Sequence, residues 1–191
     1  MILSFLKNLN WIDIVVIIII ARITYIAIKK GLFIEVFKFL GAIFAVFICL
    51  HYYTKLGDLL NNFLKVSSLS LDLCDFISFA LLWIGVTLVF VLLRDVFSHL
   101  IKIEAISIIN RWFSLFLGLA RGLILASLLM YIFSIPAIEY LKKSVQNAYL
   151  GRRVFFVSSS LYQKLWNNFV SKFRPAEEFN QECLNLEKDL K

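Results

Sequence analysis

The sequence predicts an all-α integral membrane protein, with four transmembrane helices and a C-terminal amphipathic helix lying in the membrane interface. Three observations lead there. Of the 191 residues, 61% are hydrophobic and only 17% charged, and the mean hydropathy is +0.84. An ordinary soluble domain is about 45–50% apolar and about 25% charged. A soluble fold of this length could not hide so much apolar surface from water. That excludes a soluble enzyme, a disordered chain and a secreted disulfide scaffold. Two prolines and seven glycines are too few for a turn-rich β-architecture and suit long helices. Finally, four apolar stretches reach the about 17–25 residues that a helix needs to cross a bilayer.

The first span covers residues 11–28, with its core at 14–21. It lacks a small-residue cleavage site, and Arg22 interrupts the place where one would fall, so it is retained as a spanning helix. Lys29-Lys30-Gly31 makes a tight hairpin into the second span, 31–53, with Gly31 free to adopt positive φ. In the connection 54–75, Leu56, Leu59, Leu60, Phe63 and Leu64 recur at helical spacing and predict a short helix on the membrane surface. The third span is 76–100, and the fourth, 112–135, is ended by Pro136. From Glu139 the composition changes. The chain therefore divides into a four-helix transmembrane domain, 1–138, and an amphipathic, charged tail, 139–191. Over 152–174, Phe155, Tyr162, Trp166, Phe169 and Phe173 form one stripe opposite a basic polar face. Such a helix is expected in the interface, in preference to packing on a partner. Residues 175–191 are charged and expected to face solvent or fray.

Ser114, Gly118, Gly122 and Ala126 recur every four residues on the fourth span, and Gly41, Ala45 and Cys49 repeat the spacing on the second. Such small-residue faces let helices approach closely in lipid. Packing within the four-helix unit is favoured over an oligomer seam. Charges inside spans point more sharply, since each costs about 2.5–3.5 kcal/mol at a helix centre. Arg22, Glu35, Lys38, Arg94 and Asp95 all lie near the hairpin tips, while Asp13 marks the opposite face. Arg121 is about 15 Å deep and needs a carboxylate, Glu35 or Asp95. A buried polar cluster of Arg22, Glu35, Asp95 and Arg121 is the candidate site. A structural ion pair is favoured over a water-accessible pocket for an anion or peptide carboxylate. Lys38 is expected to snorkel to the surface.

Catalytic constellations are missing. His51 and His99 are isolated and read as interfacial side chains. No GxSxG elbow or phosphate loop occurs, and Cys49, Cys74 and Cys183 lack metal-ligand spacing. The expectation is a non-enzyme without cofactor or metal. The net charge of +7 suits anionic headgroups rather than nucleic acid. The partners expected are the lipid bilayer and either a second copy or another inner-membrane protein. Lys29, Lys30, Lys102 and Arg111 near the tips outweigh Lys7, Lys55, Lys65, Lys142 and Lys143 opposite, because the tips are shorter and denser in charge. Both termini are therefore expected outside the cytoplasm.

Over residues 10–135 the chain resembles the colicin V production protein family. The resemblance rests on Trp11-Ile12-Asp13 before an apolar run, then Lys30-Gly31, Glu35, Gly41 and His51-Tyr52-Tyr53. Its most specific part is Asn110-Arg111 leading through Ser114 and Gly118 to Arg121-Gly122. Asn110 stands where the family usually has Asp, and Ser114 where it usually has Gly; serine keeps the face small. The resemblance implies a multi-pass protein of the bacterial inner membrane that helps in toxin production or secretion, or in envelope homeostasis. The alternative is a small homo-oligomeric transporter or channel with a polar pocket around Arg121.

Overall fold

A computed structural model describes residues 10–64, 70–100, 108–174 and 177–190. Among these residues it is mainly helical, without strands, and four helices are long and apolar enough to cross a membrane. The four are α1 (Trp11–Lys30), α2 (Leu32–Leu64), α3 (Leu71–Leu100) and α4 (Ile108–Ser134). Asn10 starts α1: its side chain accepts from the Trp11 amide at 2.7 Å, while its own amide donates to Asp13 at 3.0 Å. This reciprocal arrangement satisfies amides that the first turn leaves open. Gly31, at φ 82°, turns the chain into α2, a conformation that side chains with a Cβ resist.

Although the turn is tight, α1 and α2 touch little beyond it; α4 is wedged between them and α3 packs almost wholly on α2. The order across the bundle is thus α1, α4, α2, α3. Burial follows this order: 56% of the α4 span is buried against 11% of the α3 span. The small-residue face of α4 is the face that meets α1. A Cβ added at Gly118 would overlap Ala27, and one at Gly122 would lie 3.3 Å from the Ile20 backbone. On α2, a Cβ at Gly41 would lie 2.9 Å from the Phe90 ring of α3.

Two element boundaries depart from expectation. The helix expected to lie on the surface at 56–64 is the continuation of α2, which runs unbroken to Leu64. No helix breaker intervenes, and Gly57 is held where a Cβ would meet Asp75 of α3. Correspondingly, α3 begins at Leu71 rather than at residue 76, with Asp72 in its first turn. Hydropathy drops at these acidic residues while the helix does not.

The C-terminal segment forms α5 (Glu139–Gln146), α6 (Tyr149–Leu165), a π-helical turn (Trp166–Val170) with a last turn Ser171–Phe173, and α7 (Glu182–Asp189). Its side chains join the same hydrophobic core: Val145, Phe155, Tyr162, Cys183 and Leu186 cluster with Ile12, Leu50, Leu128 and Tyr131. The expectation of a solvent-facing or frayed end is thereby corrected, since Cys183 is fully buried and Leu190 nearly so. The aromatic stripe is also divided. Phe155, Tyr162 and Trp166 are buried, whereas Phe169 and Phe173 are 59% and 80% exposed. The extra residue of the π-turn rotates the register between them.

Candidate functional site

Glu35 stands in the first turn of α2 and is completely buried. Arg121 on α4 points at it, with Nε 2.8 Å from Glu35 Oε1, and Lys38 Nζ lies 3.6 Å from Oε2. Arg121 reaches Glu35 because side chains lean toward their own helix N-terminus, which on α4 is the end near the tips. Among the described residues neither carboxylate oxygen has an aligned hydrogen-bond donor, so the pair is held by charge more than by directed hydrogen bonds. Beside it opens a cleft between α2, α3 and α4 with about 80 Å³ of room for solvent, lined by Lys38, Gly41, Thr87, Phe90, Arg94 and Arg121. A single water needs about 10–15 Å³ on that measure. The cleft therefore admits a few waters or one small group against three cations.

Of the predicted cluster, the fold brings Glu35 and Arg121 together and leaves the other two out. Arg22 is exposed and has no ion pair among the described residues. Ile20, Thr24 and Ala27 are the α1 residues that meet α4, and position 22 falls on the opposite side of that helix. Asp95 is half exposed and is taken by its neighbour, with Arg94 Nε donating to Oδ1 at 2.8 Å. Lys38, expected to snorkel, is instead 16% exposed and belongs to the cluster. Ser114 and Ala126 are fully buried on the α4 face and Ala45 nearly so on α2. Lys7, Lys65 and Lys102, and the side chains of Lys30 and His99, lie outside the described residues.

A second polar site secures the C-terminal segment and was largely missed in the sequence. Asp13, fully buried, accepts from the amides of Tyr149 at 3.2 Å, Leu150 at 2.8 Å and Gly151 at 3.0 Å. One carboxylate thus caps both its own helix and α6, where the helix dipole favours negative charge. The Asn10-to-Asp13 spacing is a readable capping signal; the second helix it serves, 136 residues away, is not. Farther along α6, the Ser127 hydroxyl accepts the Ser158 amide at 2.8 Å. At its far end lies His51, expected at an interface but 1% exposed. Its Nδ1 is 3.0 Å from the Tyr162 hydroxyl, its Nε2 is 3.4 Å from Glu177, and it stacks between Phe47 and Trp166. Tyr162 in turn accepts the Asn180 amide at 3.2 Å, and Asn180 donates to the Leu50 carbonyl at 2.7 Å. Burial raises the Tyr162 hydroxyl well above its ordinary pKa. The hydrogen bond from Arg174, at 2.8 Å, holds Glu177 below the usual carboxylate range.

These contacts set the level of α6. At 1.5 Å per residue, Asp13 is about 26 Å from the tip of α1, and His51 about 29 Å from the tip of α2. Both ends of α6 touch the bundle at the same level, so α6 lies across it. The separation from the tips is close to the about 30 Å thickness of a bilayer's hydrocarbon core. Exposed Trp11, Tyr140 and Tyr149 sit at the α6 level, and exposed Tyr25, Trp112 and Phe113 near the tips. Aromatic belts of this kind mark the two interfaces of a membrane protein.

The chain is accordingly a multi-pass membrane protein. Comparison finds no match among curated proteins and none among solved structures. The family described as colicin V production protein matches residues 12–159, spanning Asp13, the Glu35–Arg121 pair and most of α6. With most of its length so matched, the chain belongs to the colicin V production protein family.

Proposed function

We propose that the chain is a non-enzymatic helper in toxin production or secretion, or in envelope homeostasis, seated in the bacterial inner membrane. On this reading it acts through contact with another inner-membrane protein or a second copy of itself. Family membership supports a membrane helper in colicin production. The observation that carries the contact reading is α3. This helix is held by α2 almost alone, and its outward side presents Leu81, Ile84, Leu88 and Leu92, each more than half exposed. Gly85 lies among them, and no described residue comes within 4 Å of an added Cβ there. A small residue on an outward apolar face permits close approach of a further helix.

The test is complementation in a toxin-producing bacterium that lacks its own family member. The wild-type chain should restore toxin release. Gly85→Trp, which has space in the fold, should lower release at unchanged protein level in the membrane. Failure of the wild-type chain to restore release or envelope integrity would overturn the helper role. Equal release with Gly85→Trp would overturn contact through α3.

A further inference from the structure

We propose that the groove beneath α6 seats an anionic phospholipid, its acyl chain against α2 and α4 and its phosphate at Ser160 and Lys164. The groove measures about 500 Å³ and is lined by Phe39, Leu123, Ile124 and Leu161, with Arg153, Ser160 and Lys164 along its α6 side. Positions 153, 160 and 164 fall within about 40° of one another on an α-helix, so they form one polar rim. All three are exposed. Neither Arg153 nor Lys164 has a carboxylate partner among the described residues; the Arg153 guanidinium rests on the Tyr149 ring at 4.4 Å.

The depth of the groove matches the depth of a lipid. Its cationic rim sits on α6, at the level of one membrane interface. Its apolar floor reaches Phe39, about 10 Å from the tip of α2, and therefore runs through the hydrocarbon core. Ser160 and Lys164 are one turn apart, so a hydroxyl and an ammonium can meet the same phosphate. Arg153, two turns before Ser160, adds a second positive charge at the rim. Basic pockets between transmembrane helices bind anionic headgroups by this combination of apolar trough and charged edge. The arrangement also gives the exposed cations of α6 a counter-charge while α6 lies flat.

The test is lipid retention by the purified full chain in neutral detergent, read by native mass spectrometry with phosphatidylglycerol or phosphatidylcholine added at equal concentration. The wild-type chain should retain phosphatidylglycerol about tenfold in preference. Arg153→Ala with Lys164→Ala should abolish the preference, and Lys172→Ala, exposed but away from the groove, should keep it. If the double variant loses helicity, the single Arg153→Gln and Lys164→Gln substitutions should each reduce the preference. Equal retention of the two lipids, or a preference that survives both substitutions, would overturn the proposal. Displacement of phosphatidylglycerol by inorganic phosphate at equal concentration would show a phosphate site indifferent to lipid, and would overturn it too.

Discussion

Glu35 and Arg121 show how a charge becomes affordable inside a membrane. Arg121 could not stand alone near the helix centre, where an isolated charge costs about 2.5–3.5 kcal/mol even on insertion scales, and Glu35 is fully buried. Together they neutralise one another across α2 and α4, at 2.8 Å. Arg121→Leu leaves Glu35 buried beside Lys38 only, and breaking a buried pair in this way costs about 3–5 kcal/mol. Lys38→Leu removes the longer and wetter contact and should cost about 1 kcal/mol. Thermal unfolding of both variants in detergent checks the order; equal melting temperatures would contradict it. Glu177 gives a second residue-scale expectation. Its pKa is lowered in the fold, chiefly by the Arg174 hydrogen bond, with His51 and Lys55 adding positive charge nearby. Its contribution is therefore present above the ordinary glutamate value of about 4.3 and lost as pH falls through the lower folded value. The melting temperature in detergent should therefore fall further between about pH 7 and about pH 3 in the wild-type chain than in Glu177→Gln. An equal fall in the two proteins would contradict it.

Among the elements, α4 organises the rest. Its small face admits α1 so closely that Gly118→Ala should overpack and destabilise by about 1–3 kcal/mol. Gly85→Ala on α3, with open space around it, should be neutral or slightly stabilising. Melting temperatures of the two variants, measured side by side, separate these outcomes. The face was legible because close packing in lipid demands small residues at a fixed spacing of four, and that demand is local. The spans were legible for the same reason, since hydropathy is summed over neighbouring residues. Where each helix would be placed was not. A hairpin turn at Gly31 suggests that α1 packs on α2, yet α4 takes that position and carries Arg22 away from Glu35. Helix ends were also misread where apolar runs met acidic residues, at Asp58 on α2 and Asp72 on α3. Composition changes there, but backbone hydrogen bonding does not.

At the scale of the whole molecule, the C-terminal segment closes one end of the bundle. It is held by Asp13 under the first turn of α6, by Ser127 midway, and by His51 with Asn180 at the far end. Each of these contacts joins residues separated by tens to more than a hundred positions. No local pattern announces them, so Asp13 read as a marker of the far membrane face and His51 as a lone side chain. The π-turn at Trp166–Val170 was equally hidden, and it decides which aromatics pack inward and which remain outside. The fold was thus legible in its spans and one buried pair, and opaque where distant segments meet. The most direct test of the account is crosslinking within one chain between the start of α1 and α5, where the Trp11 and Tyr140 rings stack with centroids 6.3 Å apart. Trp11→Cys and Tyr140→Cys would be combined with alanine at the three buried native cysteines and treated in membranes with a short bismaleimide. After the chain is cleaved between the two sites, the fragments should remain joined. Fragments that separate, or adducts formed only between different chains, would contradict it.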